Sequence, residues 1–153
     1  MNQVEIQSCS SSQNQPELQQ IQIWIDATLT ELNRDTEIVV RIVDEQESAE
    51  LNEQYRHKQG STNILSFPVE IPEGIDLNLL GDLVVCAPVL EREALQQQKS
   101  LDDHWAHIIV HGVLHLLGYD HINDDDAEVM ENTEIKILQQ LNISNPYLEA
   151  TEL

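Results

Sequence analysis

Residues 111–121 read HGVLHLLGYDH, and the spacing of the histidines in this stretch decides how the rest of the chain is interpreted. His111 and His115 are four residues apart, so on a helix they share one face, with Cβ atoms roughly 5–6 Å apart. Gly118 offers the left-handed conformation that commonly ends a helix, and the chain can then turn back with His121. Three neutral imidazoles with one open position are typical of a catalytic zinc site. We therefore predict one Zn²⁺ ion bound by His111, His115 and His121.

The metzincin peptidases have the same register, with the pattern H-E-x-x-H-x-x-G-x-x-H. Gly112 occupies the second position here, so the glutamate that acts as general base in such peptidases is missing. This difference favours metal-assisted hydrolysis of something other than a peptide, or a different base. The alternative without a metal is a hydrogen-bonded histidine cluster at the C-terminus of the helix, where positive charge is favourable.

The sequence gives a less specific indication of the roles of His104, His107 and Asp120. His107 is also four residues before His111, but it lies about 12 Å along the axis from His115, so one ion cannot bind all three. His107 is either a core histidine or a residue that orients a ligand. We expect His104 near the solvent end of the helix, without a role. Asp120 either accepts a hydrogen bond from an imidazole or forms part of a turn.

The chain is strongly acidic, with a net charge of −21 from 28 acidic and 7 basic residues. Such a charge repels polyanions and argues against broad, unaided binding of nucleic acid, which relies on many contacts between cations and phosphates. The one candidate for a local basic patch is Arg56, His57 and Lys58. These side chains either bind phosphate, for which arginine is best suited, or belong to a solvated loop.

Length and composition indicate one domain spanning residues 1–153, large enough to be stable without disulfides. The two cysteines, Cys9 and Cys86, are far apart in sequence and fit a reducing compartment. No apolar run approaches the ~20 residues of a transmembrane helix, and the first residues do not resemble a secretory signal. We therefore expect a cytoplasmic protein that does not bind membranes.

The hydrophobic periodicity predicts an α+β domain. Asp44, Ser100 and Asn123 precede three of the helices and are expected to cap them. Pro68 indicates an edge strand, and the tail from Asn142 is expected to be loosely held. The order of elements predicts a small mixed sheet packed with about five helices, and a metal site at the C-terminal end of a buried central helix. The predicted strands are 4–7, 37–43, 63–69 and 80–86, and the predicted helices are 16–32, 44–55, 88–99, 101–117 and 123–141.

Residues 111–121 resemble the signature of the YbeY family of bacterial endoribonucleases, whose pattern runs H-G-x-L-H-L-x-G-Y-D-H. Two upstream segments are also similar to that family: LNEQYRHKQGSTNILSFP at 51–68 and LGDLVVC at 80–86. The resemblance therefore extends from residue 51 to about residue 134, over half the chain. It departs from the family at Asn63, where many members have aspartate, so position 63 lacks the carboxylate that a base would need.

The resemblance implies a zinc-dependent, single-strand-directed endoribonuclease that acts in 16S rRNA 3′-end maturation and in ribosome quality control. It implies that His111, His115 and His121 bind the metal and that Arg56 is functionally important, which makes Arg56 and His111 the catalytic candidates. The implied partners are ribosomal RNA, proteins of the small ribosomal subunit and assembly factors. Two other interpretations are a metallopeptidase with an atypical base and a non-catalytic assembly factor with a structural metal.

Overall fold

A mixed four-stranded sheet lies at the centre of the computed structural model, which describes residues 1–32, 35–69, 74, 78–120 and 123–147. The parallel strands are β1 (Asn2–Ser8), β2 (Thr36–Val43) and β4 (Leu79–Cys86). Strand β3 (Ile64–Pro68) runs antiparallel to β4, and the order across the sheet is β1-β2-β4-β3. The small mixed sheet is thus confirmed. Strand β3 lies at its edge, as Pro68 indicated.

Some helices of the described residues pack on this sheet and others pack on a neighbouring helix, and together they confirm the α+β class. Helix α1 is shorter than the predicted range 16–32. It begins after the N-cap residue Glu17, whose backbone N–H donates to the side chain of Gln20, and it ends before the C-cap residue Leu29. None of the described helices is long and apolar enough to cross a membrane. The five helices are α1 (Leu18–Thr28), α2 (Glu45–Arg56), α3 (Ala87–Gln96), α4 (Leu101–Leu116) and α5 (Asp124–Gln140).

The main core lies between one face of the sheet and helices α1 and α4. Ile38, Val40 and Ile42 alternate along β2 and are almost completely buried in this core. Trp105 and Ile109 of α4 pack in the same cluster, which confirms α4 as the buried central helix. On the opposite face, a smaller cluster is covered in part by α2 and consists of Val43, Leu65, Val84, Cys86 and Val89.

Two of the three predicted helix caps are observed. The side chains of Ser100 and Asn123 each accept a hydrogen bond from the backbone N–H three residues further on. Asp44 is at the N-cap position of α2, but its side chain makes no capping hydrogen bond. Its carboxylate instead accepts hydrogen bonds from Ser10 and Ser11 in the N-terminal loop. The predicted N-cap position of Asp44 is therefore confirmed, but the predicted capping hydrogen bond is absent because a distant loop supplies competing donors.

The segment after α5 is packed more firmly than predicted. Ile143 lies against the main core, and the hydroxyl of Tyr147 donates a hydrogen bond to Glu134 of α5. The expectation of a loose tail from Asn142 is thus wrong for residues 143–147. The sequence did not indicate that Ile143 contacts the core or that Tyr147 bonds to Glu134.

Candidate active site

Helix α4 brings His111 and His115 together in the wall of a cavity of about 730 Å³. Their Nε2 atoms are 3.1 Å apart. Two nitrogens that each lie 2.0–2.1 Å from one tetrahedral zinc ion are roughly 3.3 Å apart, so this spacing fits two ligands of a shared ion. Gly118 follows the helix with a φ of +100°, as predicted, and lines the same cavity.

The predicted third ligand, His121, lies outside the described residues. Among the side chains that the structure describes, no group of three His, Cys, Asp or Glu residues is arranged to hold a metal ion. The structure therefore brings together His111 and His115, and the three-histidine metal site stays a prediction. Asp120 lines the cavity immediately before His121, a position compatible with both roles considered for it.

A buried carboxylate from α5 bonds to the opposite side of the His111 ring. Glu134 is 0% exposed, and its Oε1 bonds to Nδ1 of His111. Its Oε2 lies 3.2 Å from Nε2 of His107 and also accepts the hydroxyl of Tyr147. When Nδ1 donates to the carboxylate, the lone pair of His111 is on Nε2, the atom nearest His115. Glu134 thus sets the ring orientation and tautomer that a metal ligand needs.

The electrostatics of this cluster keep Glu134 ionised, and they keep His107 and Tyr147 neutral. Burial raises the pKa of Glu134, but hydrogen bonds from His107, His111 and Tyr147 outweigh it and lower the pKa to about 2. Burial lowers the pKa of His107 below its usual value. Burial and the adjacent Glu134 carboxylate raise the pKa of Tyr147. Near pH 7 the cluster therefore holds one carboxylate that accepts hydrogen bonds from neutral His107 and neutral Tyr147.

Sequence reasoning missed Glu134, although a signal for it exists. The buried residues of α5 are Met130, Glu134, Ile137 and Leu138, spaced by four, three and one. An acidic residue therefore stands at an apolar position of an amphipathic helix. A buried carboxylate of this kind needs partners, and the histidines of α4 provide them.

The expectation for His104 is wrong, and the structure favours one of the two interpretations of His107. His104 is 1% exposed, because α3 covers this end of α4, and its Nε2 lies 2.9 Å from Oε1 of Glu93. His107 bonds to the carboxylate that also holds His111. This contact supports a role in orienting a ligand, exerted through Glu134.

Arg56, the last residue of α2, lines the same cavity as the two histidines. The loop that follows is held by two buried polar side chains of α2. Ser48 Oγ accepts from the backbone N–H of Thr62 at 3.0 Å, and Asn52 Nδ2 donates to the carbonyl of Gly60 at 2.9 Å. Two segments that are distant in sequence are thus fixed at one cavity.

Gly112 lies where α4 approaches the sheet most closely. A Cβ at this position would lie 2.4 Å from Cδ1 of Ile64 and 3.0 Å from Cδ2 of Leu83, two buried side chains. Ser66 Oγ donates to the Gly112 carbonyl at 3.1 Å, which further ties the helix to β3. A glutamate here would enter the apolar core between helix and sheet. Helix packing therefore explains the absence of the peptidase base.

Fold and cavity together define an α+β protein in which paired histidines of a buried helix line one cavity with an arginine from a second segment. The family model described as Endoribonuclease YbeY matches residues 3–142, so the chain belongs to the YbeY family. Endoribonuclease YbeY from Colwellia psychrerythraea is 49% identical over 150 residues, which are 95% of this chain and 97% of that protein. Endoribonuclease YbeY from Methylococcus capsulatus is 54% identical over 134 residues, which are 88% of each chain.

The fold also has a counterpart among solved structures. The solution structure of TM1509 from Thermotoga maritima superposes with a TM-score of 0.58 and covers 97% of this chain and 99% of that one. The two sequences are 21% identical, so this likeness concerns the fold alone. It agrees with the α+β class, and the family assignment confirms the resemblance found in the sequence.

Proposed function

We propose that this protein is a zinc-dependent, single-strand-directed endoribonuclease that acts in 16S rRNA 3′-end maturation and ribosome quality control. Membership of the YbeY family, whose members cited above carry the name endoribonuclease, supports ribonuclease activity. The observation that carries the proposal is the single cavity lined by Arg56, His111 and His115. Phosphodiester hydrolysis needs groups that hold a metal and groups that stabilise charge on phosphate, and this cavity offers both kinds.

In this proposal His111, His115 and His121 hold one zinc ion. When bound, the ion would polarise the phosphodiester and lower the pKa of a water molecule. Glu134 keeps the ring of His111 in one orientation by accepting its Nδ1–H. The guanidinium of Arg56 binds the phosphate through two parallel N–H donors and stabilises the negative charge that develops on its oxygens. Arg56 and His111 are therefore the proposed catalytic residues.

The strong negative charge bears on how the protein reaches its substrate. A net charge of −21 repels free RNA over most of the surface. We therefore propose that small-subunit proteins and assembly factors in the cytoplasm bring the protein to ribosomal RNA. The short cationic segment at Arg56 and Lys58 then needs to bind only the phosphates at the cleavage site.

Cleavage of a single-stranded 16S rRNA fragment by the zinc-loaded protein, with and without small ribosomal subunits, tests the proposal. We expect His111→Ala to lose zinc and cleavage together. Arg56→Ala should keep zinc and cut roughly 10²-fold more slowly, the usual cost of one lost charge-stabilising donor. Arg92→Ala, which removes an exposed arginine paired with Glu45, is the matched control and should cut normally.

Three results would contradict parts of this proposal. A full equivalent of zinc in His115→Ala would refute the ligand assignment. Wild-type cleavage by Arg56→Ala would refute the phosphate-binding role. A fully metallated wild-type protein that cuts no RNA, alone or with ribosomal subunits, would refute the ribonuclease activity and favour an assembly factor with a structural metal.

A further inference from the structure

Two aromatic rings lie together at the rim of the histidine cavity. Tyr55 of α2 is 56% exposed, and its ring meets that of Phe67 in β3 edge-on, with centroids 5.1 Å apart. Phe67 packs against the smaller apolar cluster and is partly buried, so its ring supports the ring of Tyr55. An exposed tyrosine held by a second ring keeps a rigid apolar surface open to solvent. Rings of this kind are suited to stacking, because little side-chain freedom is lost when a ligand binds.

The same two rings also line a second cavity, on the open face of the sheet. This groove of about 480 Å³ runs past Val39, Arg41 and Asp82 on neighbouring strands. The first cavity holds His111, His115 and Arg56. Tyr55 and Phe67 form the wall shared by the two cavities, so an extended ligand that occupies both must pass over Tyr55.

Two cationic side chains lie close to Tyr55 in the chain and can bind an anionic ligand. Arg56 and Lys58 are exposed, and within the described part of the chain neither makes an ion pair. Arg41, at the far side of the groove, is instead paired with Glu47. Asp82 and Asp120 also line the two cavities, so the binding of a phosphate depends on Arg56, which lines the first cavity together with Tyr55. Exposed rings next to cations are the combination that single-stranded nucleic-acid sites use.

We propose that Tyr55, braced by Phe67, is a stacking platform for one unpaired base of an RNA strand whose neighbouring phosphate is bound by Arg56. The proposal rests on the ribonuclease function proposed above and adds how the substrate is recognised. Every base has a π face, so such a platform accepts all four bases. A base inside a duplex is stacked and paired and cannot lie on the ring. Tyr55 therefore selects for single strands and not for sequence.

Steady-state cleavage of a short single-stranded rRNA fragment by Tyr55→Leu, Tyr55→Phe and wild type tests the platform. Loss of base stacking on one ring should raise KM roughly 5- to 150-fold in Tyr55→Leu and leave kcat near the wild-type value. Tyr55→Phe keeps the ring and should behave as wild type. Leu95→Ala, at a position 81% exposed on α3, is the control for loss of an exposed apolar side chain. Circular dichroism checks that each variant is folded.

A second measurement does not depend on cleavage. A 2-aminopurine placed at successive positions of the oligonucleotide reports stacking by loss of its fluorescence, read within the first turnover after rapid mixing. Wild type and Tyr55→Phe should quench the probe strongly at one position, and Tyr55→Leu should not. If wild type cuts no RNA yet quenches the probe, the ribonuclease function fails and the platform stands.

The platform is overturned if wild type cuts RNA while Tyr55→Leu shows wild-type KM and wild-type quenching. It is also overturned if Tyr55→Leu lowers kcat alone, because the ring would then act on the chemistry and not on binding. Normal cleavage of the free fragment by Tyr55→Leu, combined with loss of activity on ribosomal subunits, would overturn it too. That result would make the groove a protein-binding surface.

Discussion

Helix α4 presents two faces that are built in opposite ways. On the side that meets the sheet, Gly112 lets the helix approach β3 and β4 so closely that a Cβ meets two buried apolar side chains. On the side that meets α3 and α5, three histidines bond to the carboxylates of Glu93 and Glu134. The first face fixes where the helix lies, and the second fixes how its imidazole rings are turned. We expect changes on the first face to affect stability and changes on the second to affect metal binding and pH dependence.

The largest effect is expected on the face that meets the sheet. Gly112→Glu restores the peptidase pattern but forces a carboxylate against Ile64 and Leu83, so it should lower the free energy of unfolding by about 3 kcal/mol or more. Gly112→Ala adds only a methyl group and should cost about 1–2 kcal/mol, because crowding outweighs the gain in helix propensity. Urea unfolding followed by circular dichroism measures both. A Gly112→Glu variant as stable as wild type would show that this face is not tightly packed.

A smaller, more specific effect is expected on the histidine face. Glu134→Gln keeps the shape of the side chain but replaces one acceptor oxygen with a donor, so it cannot accept from both His107 and His111. On the proposed metal role, zinc affinity should fall roughly 10- to 100-fold. Competition with a chelator measures the affinity, and Glu131→Gln, an exposed position on the same helix, is the control. Unchanged zinc affinity in Glu134→Gln would show that this carboxylate does not support metal binding.

The smallest effect concerns pH. Burial raises the pKa of Glu93, but its bonds to His104 and Asn63 outweigh this and lower the pKa below the usual value. A carboxyl with a lowered pKa in the folded state stabilises the protein above its unfolded pKa of about 4.3, and this contribution is lost as the pH falls. Glu93→Gln should therefore be less stable than wild type by about 1 kcal/mol at pH 6. The difference in stability between wild type and Glu93→Gln should be smaller at pH 3.5. A difference that grows as the pH falls would contradict the lowered pKa of Glu93.

The sequence predicted those features that depend on local patterns. The alternation in β2 and the apolar periodicity of α4 come from residues close together in the chain, so strands, helices and the pair His111 and His115 were all found. Arg56 lines the same cavity as these histidines because of the way α2, β3 and α4 pack. Only the family resemblance suggested that this arginine belongs to the site. Glu134 stands at an apolar position of α5, but the residues that bond to it come from other parts of the chain, so its role was visible only in the fold.

The bond between Tyr147 and Glu134 has a consequence for the order in which the protein matures. Synthesis runs from the N-terminus, and a single domain generally folds as a unit. The hydrogen bonds around Glu134 therefore cannot be complete until residue 147 has been made. The carboxylate that orients His111 thus receives one of its hydrogen bonds from a residue that follows all the described helices and strands.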